Sequence, residues 1–136
     1  VLHRAVSITD GPVLELGTGY GSTPMLHALL NGTGRRLVSI DENSDWLHRF
    51  TALQSDWHDL VQLTDSSWHP AALEQLGVFD TFWSVVLVDQ DPLEVRTPIL
   101  KLLGDRARYI VLHDCDWYPV TGALYYSHYR NFLEFY

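Results

Sequence analysis

The most informative stretch of the sequence is residues 13–21, VLELGTGYG, in which an acid and three glycines follow a short apolar run. Gly17, Gly19 and Gly21 permit positive φ angles and a close approach of a ligand to the backbone. Proteins that bind a dinucleotide usually space such glycines as G-x-G-x-x-G and hold the pyrophosphate at the start of the next helix. Here the third glycine comes one residue early, and Glu15 stands two residues before the first. Because a carboxylate repels pyrophosphate but attracts an ammonium group, we expect a positively charged ligand at this loop.

A second acid, Asp41 in the stretch LVSIDEN, ends the next apolar run. An acid at the end of the second strand, about 20 residues beyond the glycine loop, is well placed to accept hydrogen bonds from two ribose hydroxyls. Together, the two acids and the glycines describe a ligand with a ribose and a positive charge but no pyrophosphate.

Further acids end the fourth and fifth apolar runs, at Asp89 and at His113–Asp114. Neighbouring parallel strands bring these ends into one cleft, where two carboxylates are costly unless they are protonated, paired with a cation or bound to a metal. Oxygen ligands of this kind favour Mg²⁺ or Ca²⁺. His113 could alternatively act as a general base. Asp89 could also simply cap a turn, with Arg96 as its ion-pair partner.

The elements that must position these residues alternate between short apolar runs and longer amphipathic ones, which indicates an α/β fold with a parallel sheet. Continuous Val, Ile and Leu runs are typical of strands that are buried on both faces. We predict strands at Pro12–Leu16, Arg36–Ile40, Asp59–Leu63, Ser84–Val88 and Tyr109–Leu112, and helices at Thr23–Leu30, Ser44–Gln54, Pro70–Leu76 and Pro98–Leu103.

These motifs resemble those of the class I S-adenosylmethionine-dependent methyltransferases, over nearly the whole chain. ELGTGYG matches the first motif, SIDEN the ribose acid, TDSSW the adenine loop, VVLVDQDP the fourth-strand motif and IVLHDCD the fifth. The resemblance implies a Rossmann-like doubly wound sheet, mostly parallel, with strand order 3-2-1-4-5. It also implies S-adenosylmethionine as cofactor, with the methionine end at the glycine loop, the ribose at Asp41 and the adenine near Asp65 and Ser66. The full set of expected cofactor-binding residues is Glu15, Gly17, Thr18, Gly19, Tyr20, Asp41, Glu42, Asp65, Ser66 and Asp89.

The acids after strands four and five resemble those of the metal-dependent O-methyltransferases, in which a divalent ion lowers the pKa of the substrate hydroxyl. This resemblance implies that Asp89 and Asp114 bind Mg²⁺ and that Asp89, His113 and Asp114 are catalytic. The sequence departs from that family in placing Cys115 directly after Asp114. A closer match is a group of small methyltransferase-like proteins with Asp-x-x-Pro and a later Arg after strand four and His-Asp after strand five.

The family's sheet has seven strands, whereas this sequence supplies five clear ones, so we expect the C-terminal hairpin to be incomplete. The aromatic tail ALYYSHYRNFLEFY is predicted to pack on the fifth-strand side of the sheet, either within the chain or in a homodimer. We interpret residues 1–136 as a single domain that is truncated at both ends.

Composition excludes several other classes of protein. The net charge is −8 and no block of Lys or Arg occurs, which argues against nucleic acid as a partner. No apolar run approaches the roughly 18 residues that span a membrane. The single cysteine, Cys115, fits a cytoplasmic location. The scattered histidines, among them His27 and His58, lack metal-ligand spacing and are interpreted as surface or packing residues.

The sequence thus predicts an enzyme that transfers a methyl group from S-adenosylmethionine to an oxygen or nitrogen of a small molecule. One alternative is a non-catalytic module that binds a nucleoside and keeps only the fold. A second alternative is an NAD-dependent oxidoreductase, which the glycine spacing and Glu15 disfavour.

Overall fold

The computed structural model describes residues 1–64 and 68–114 and shows one sheet of five parallel strands in the order β3-β2-β1-β4-β5. This result confirms the predicted α/β, doubly wound fold. The observed strands differ from the predicted ones by no more than two residues at either end. They are β1 Val13–Leu16, β2 Leu37–Asp41, β3 His58–Gln62, β4 Trp83–Val88 and β5 Ala107–Leu112.

Burial follows the position of each strand in the sheet. Every residue of β1, β2 and β4 is buried, which explains why these strands are mostly apolar. The two outer strands, β3 and β5, are only partly buried, and their sequences are correspondingly more polar. Because β2, β1 and β4 are parallel neighbours, their C-terminal ends lie side by side at the same end of the sheet.

Helices cover both faces of the sheet and create two apolar cores. On one face, Leu14 and Leu16 of β1 pack with Leu73 and with the apolar side of the fifth helix. On the other face, Val13 packs with apolar residues of the first two helices, including Leu26. The α-helices are α1 Leu2–Ser7, α2 Ser22–Leu30, α3 Ser44–Leu47, α4 Pro70–Gln75 and α5 Arg96–Leu103.

Two helix predictions need correction, and one helix was missed. The helix α1 was not predicted. The helix expected over Ser44–Gln54 is α-helical only to Leu47 and continues as a 3₁₀-helix at His48–Leu53, where the Thr51 hydroxyl bonds the His48 carbonyl oxygen in competition with regular helical pairing. The helix expected from Pro98 begins at Arg96, because a proline is tolerated in the first helical turn, whose N–H groups have no partner within the helix.

Several predictions fall on residues outside the described ranges. These are the adenine contacts of Asp65 and Ser66 and the packing of the aromatic tail, with the homodimer that it could form. Among the described residues, no helix combines the length and the apolar character needed to cross a membrane.

Candidate functional site

The glycine loop lies between β1 and α2 and packs tightly against the end of β4. Gly17 has a φ of +87°, a conformation that other residues rarely adopt. A Cβ atom at this position would lie 2.6 Å from the backbone nitrogen of Gln90. The Gly17 N–H donates to the carbonyl oxygen of Ile40 in β2. Gly17 is therefore required by the packing of three strand ends as well as by any ligand.

Asp41, at the end of β2, holds the glycine loop in place. Its Oδ2 accepts hydrogen bonds from the backbone N–H and the hydroxyl of Thr18, both at 2.7 Å, and its Oδ1 accepts one from the Asn43 N–H at 3.0 Å. The residue is only 5 % exposed. Since a carboxylate oxygen can accept two hydrogen bonds, Oδ1 retains one position for a ligand hydroxyl. The loop contact of Asp41 was not foreseen from the sequence.

A cavity of about 260 Å³, here called the loop cavity, opens beside Gly17 and Thr18. Four acids line it, and none of the described residues in its wall is basic, although Arg96 contacts the wall residues Asp89 and Gln90 from behind. Burial raises the pKa of Glu42, and the neighbouring charge of Asp41 acts in the same direction. The lining consists of Gly17, Thr18, Asp41, Glu42, Asn43, Trp46, Asp89, Gln90 and Asp91. The structure thus brings together five of the predicted cofactor residues in a cavity whose wall is acidic.

Trp46 fixes the outer side of the loop cavity. Its indole N–H donates to the Thr18 carbonyl oxygen at 2.7 Å, and its ring meets that of Tyr20 edge-on at 4.9 Å between centroids. The Arg49 guanidinium lies over the Trp46 ring and donates to the Tyr20 hydroxyl at 2.6 Å. Helical spacing alone suggests only that Trp46 packs with Phe50, and that contact is also present. No signal in the sequence points to the hydrogen bond with the loop.

Gln90 is the polar residue of this region that sequence reasoning missed. It is 1 % exposed, and neither Oε1 nor Nε2 of its side chain has a hydrogen-bond partner within the part of the chain that the structure describes. Buried amide groups are nearly always paired, because leaving them unpaired is costly. Its position directly after Asp89 at the end of a buried strand was the available signal. Both amide atoms are themselves buried, so a ligand in the cavity could reach them only after the Gln90 side chain changed its rotamer.

A larger cavity of about 750 Å³, here called the strand-end cavity, lies on the other side of the glycine loop. Its polar end contains Asp89, His113 and Asp114, and apolar side chains such as Met25 and Leu87 form much of the remaining wall. The glycine loop contributes Gly19, Gly21 and the adjoining Ser22 to the same cavity.

The His113 ring bridges the two acids that sequence reasoning paired. Its Nδ1 lies 3.1 Å from Asp89 Oδ1 and 3.0 Å from Asp114 Oδ1. One possible ligand atom from each of the three residues lies within 4.8 Å of the others. Burial raises the pKa of Asp89, whereas the nearby charges of His113 and Arg96 lower it. The predicted trio is therefore assembled, in a geometry that suits either a protonated imidazole or a metal ion.

Arg96 stands behind this trio and is only 2 % exposed. It donates to the carbonyl oxygens of Gln90, at 2.6 Å, and His113, at 2.9 Å, and its Nη2 lies 3.5 Å from Asp89 Oδ1. The ion pair considered from the sequence is thus present, and the same guanidinium ties the end of β4 to the end of β5. The imidazole of His113, rather than Arg96, lies between the carboxylates of Asp89 and Asp114.

Glu15, like Tyr20, is placed differently from the other described residues that were predicted to bind the cofactor. It is fully buried beneath α2 and is not part of the wall of either cavity. Its Oε1 accepts a hydrogen bond from the Thr23 hydroxyl at 3.1 Å and its Oε2 one from the Ser39 hydroxyl at 2.6 Å. Burial raises the pKa of Glu15 to about 7, although neighbouring hydroxyls favour the charged form. Any effect of Glu15 on a bound cation therefore acts across the loop rather than by direct contact.

No family model matches the chain, and no curated protein is detectably similar to it. The fold, the loop cavity and the strand-end cavity are therefore the basis on which a function can be proposed.

Proposed function

We propose that this protein transfers a methyl group from S-adenosylmethionine to an oxygen or nitrogen atom of a small molecule. The observation that carries the proposal is the charge of the loop cavity, whose wall contains four acids and, among the described residues, no base. Such a wall attracts a cationic nucleoside and repels a pyrophosphate. Its place beyond the ends of parallel strands, beside a glycine loop, is where open α/β sheets bind nucleosides.

The residues of the loop cavity fit this cofactor in two further respects. Oδ1 of Asp41 keeps a free acceptor position that a ribose hydroxyl would fill. Once its side chain turned toward the cavity, the unpaired amide of Gln90 would offer a donor beside an acceptor, the pattern that complements an adenine edge. Acidic side chains would also stabilise the cofactor's positive charge. When bound, the cofactor supplies a methyl group already activated by its sulfonium, so that the protein must mainly position the acceptor.

The strand-end cavity is the proposed acceptor site. Its apolar wall would hold the body of the acceptor, and Asp89, His113 and Asp114 would face the reacting hydroxyl or amine. With its Nδ1–H between two carboxylates, His113 is oriented to take the acceptor's proton on Nε2. The carboxylates would stabilise the imidazolium that results.

A bound Mg²⁺ is the second possibility for the same trio, favoured by the convergence of the three side chains within 4.8 Å. Carboxylate oxygens are suitable ligands for this ion, which usually keeps several waters or substrate oxygens. The two versions differ experimentally. If His113 acts as base without metal, turnover is insensitive to a chelator and lost in His113→Ala, whereas with a metal the chelator abolishes turnover and Mg²⁺ restores it.

Calorimetric titration with S-adenosylmethionine, S-adenosylhomocysteine and NAD tests the cofactor proposal directly. We expect both S-adenosyl compounds to bind and NAD not to bind. Asp41→Ala should weaken S-adenosylmethionine binding at least about tenfold, since a hydrogen bond to a charged group contributes roughly 1.5–3 kcal/mol. The control is Asp45→Ala, an exposed acid in the first turn of α3. Binding of NAD alone, or an unchanged affinity in a folded Asp41→Ala variant, would refute the site.

A non-catalytic nucleoside-binding module with the same fold remains the alternative, and the strand-end cavity separates the two. An enzyme should lose methyl transfer in His113→Ala while S-adenosylmethionine still binds. A module that only binds the nucleoside should show no transfer to any of a panel of hydroxyl and amine acceptors.

A further inference from the structure

A continuous row of hydrogen-bonded side chains runs beneath α2 from Glu15 to the surface of the protein. Ser39 Oγ lies 2.6 Å from Glu15 Oε2 and 3.0 Å from His58 Nε2. His58 Nδ1 lies 3.0 Å from His27 Nδ1. Ser39 and His58 are fully buried, whereas His27 is half-buried on α2. The row thus connects a buried acid to a residue that solvent can reach.

The hydrogens of this row can be arranged in two ways, and the state of Glu15 selects between them. When Glu15 is ionised, Ser39 donates to it, so that His58 must donate from Nε2 and accept on Nδ1. When Glu15 is protonated on Oε2, it donates to Ser39, which then donates to His58 Nε2. In that case His58 carries its hydrogen on Nδ1 and donates to His27. In each state every donor and acceptor in the row has a partner. The hydrogen bonds are donated toward Glu15 in one state and away from it in the other.

We propose that Glu15, Ser39, His58 and His27 form a proton relay whose hydrogen-bond direction is set by Glu15 and through which the proton of Glu15 leaves at His27. In one passage, the proton on Glu15 moves to Ser39 and the hydroxyl hydrogen of Ser39 moves to His58 Nε2. The hydrogen on His58 Nδ1 moves to His27 Nδ1. His27, which already carries a hydrogen on Nε2, then releases that hydrogen to water. The net result is that Glu15 loses one proton to water, while Ser39, His58 and His27 each gain one hydrogen and give one up.

The charges around the row are compatible with this exchange. Burial lowers the pKa of His58 to about 4, and the neighbouring His27 acts in the same direction, while Asp59 opposes both. His58 therefore stays neutral near pH 7 and takes part by exchanging tautomers. The charge of Asp89, from the end of β4, adds to the burial that raises the pKa of Glu15. Among the described residues, these are the charged groups that act on Glu15 and His58, the two buried titratable members of the row.

The relay reaches the proposed site through Thr23 and the glycine loop. Thr23 donates to Glu15 Oε1 and accepts a hydrogen bond from the Gly19 N–H at 2.9 Å. Gly19 follows Gly17 and Thr18, which line the loop cavity proposed for the cofactor, and itself lines the strand-end cavity. This link rests on the proposed function: a cation bound at the loop would favour ionised Glu15, so that binding near neutral pH would release a proton through His27.

The tautomer of His58 provides the test, since ¹⁵N chemical shifts distinguish Nδ1–H from Nε2–H. In the ligand-free protein with labelled histidine, we expect His58 to change from mainly Nδ1–H to mainly Nε2–H as pH rises, with a midpoint near the Glu15 pKa of about 7. In Glu15→Gln, the Gln oxygen should replace Oε1 opposite Thr23 and the amide N–H should face Ser39. This variant should keep His58 as Nδ1–H at every pH.

Ser39→Ala is the matched variant that interrupts the row between Glu15 and His58 and leaves both of these residues in place. It should remove the tautomer change near pH 7 while Glu15 is still present. A single tautomer throughout the titration of the wild type would overturn the relay. So would a change that persists in Glu15→Gln or in Ser39→Ala.

The same spectra with saturating S-adenosylmethionine test the link to the site. We expect the midpoint of the His58 change to move to lower pH in the complex. An unchanged midpoint in a protein that binds S-adenosylmethionine would overturn the link. If S-adenosylmethionine does not bind, the proposed function fails, while the ligand-free titration still decides the relay.

Discussion

The buried carboxyl of Glu15 should make the stability of this protein depend on pH in a way that Glu15→Gln removes. The pKa of Glu15 in the folded protein is raised to about 7, against an ordinary value of 4.5. Below about pH 4.5 the group is protonated in both the folded and the unfolded states. As pH rises toward 7, the unfolded chain loses this proton while the folded protein keeps it, so stability falls. Above about pH 7 the full cost of burying the charge is present.

The magnitude follows from the distance between the two pKa values. At about 1.4 kcal/mol per pH unit, the contribution of Glu15 to the free energy of unfolding should decrease by about 3 kcal/mol between pH 4.5 and pH 7. His58 has the opposite effect over nearly the same range, because burial lowers its pKa from 6.5 to about 4 and stability from this group increases as pH rises. The two contributions oppose each other in the wild type, so its own pH profile isolates neither of them.

The difference between Glu15→Gln and the wild type isolates the carboxyl, and urea unfolding at a series of pH values measures it. We expect the variant to gain about 3 kcal/mol relative to the wild type between pH 4.5 and pH 7.5, and little above that range. Glu74→Gln on the exposed side of α4 controls for the loss of a surface carboxylate. A difference that stays constant across this range would show that Glu15 is ionised in the folded protein, and the reasoning on its burial would be refuted.

Three further predictions concern the glycine loop and the loop cavity. Gly17→Ala should destabilise the protein by at least about 2 kcal/mol in urea unfolding, because the positive φ of Gly17 and its close contact with the end of β4 leave no room for a Cβ. The control Gly21→Ala should cost less than about 1 kcal/mol, because the space around Gly21 is open. Equal effects would contradict the packing described. Trp46→Phe should keep the ring contacts but lose the bond to Thr18, so amide hydrogen exchange in the loop should become faster; unchanged protection would contradict it. Gln90→Leu removes an unpaired buried amide that a ligand would satisfy. It should therefore stabilise the free protein by about 1 kcal/mol in urea unfolding and weaken S-adenosylmethionine binding about tenfold in calorimetry. A destabilised variant that binds normally would argue for a purely structural role.

The sheet was predictable from the sequence because burial on both faces leaves a strong local signal. The run VVLV before Asp89 and the run VLEL before Gly17 are continuous enough to identify central strands, and their C-terminal ends mark the site edge. The loop cavity and the strand-end cavity both lie at the C-terminal ends of strands. The acids at those ends were therefore identified as well. Helix boundaries were less well predicted, because local hydrogen bonds such as that of Thr51 decide them.

The supporting contacts of the site could not be predicted, since they join residues that are distant in the sequence. Nothing in the spacing of His27 and His58 shows that α2 brings their rings to within a hydrogen bond. Ser39 appears in the sequence as one small residue in a buried strand, and only the register of β1 with β2 places it opposite Glu15. The sequence shows which residues carry polar or ionisable side chains. Which of these side chains contact one another depends on how whole helices and strands pack together.

The bracing of Thr18 has a consequence for the speed of ligand binding. Asp41 holds its N–H and hydroxyl, and Trp46 holds its carbonyl oxygen, before any ligand arrives. A loop that is already ordered loses little conformational freedom on association, and encounter should not wait for it to fold. Stopped-flow mixing with a nucleoside ligand should therefore give a single exponential whose rate rises linearly with ligand concentration. In Trp46→Phe, a loosened loop should instead make that rate level off as ligand concentration increases.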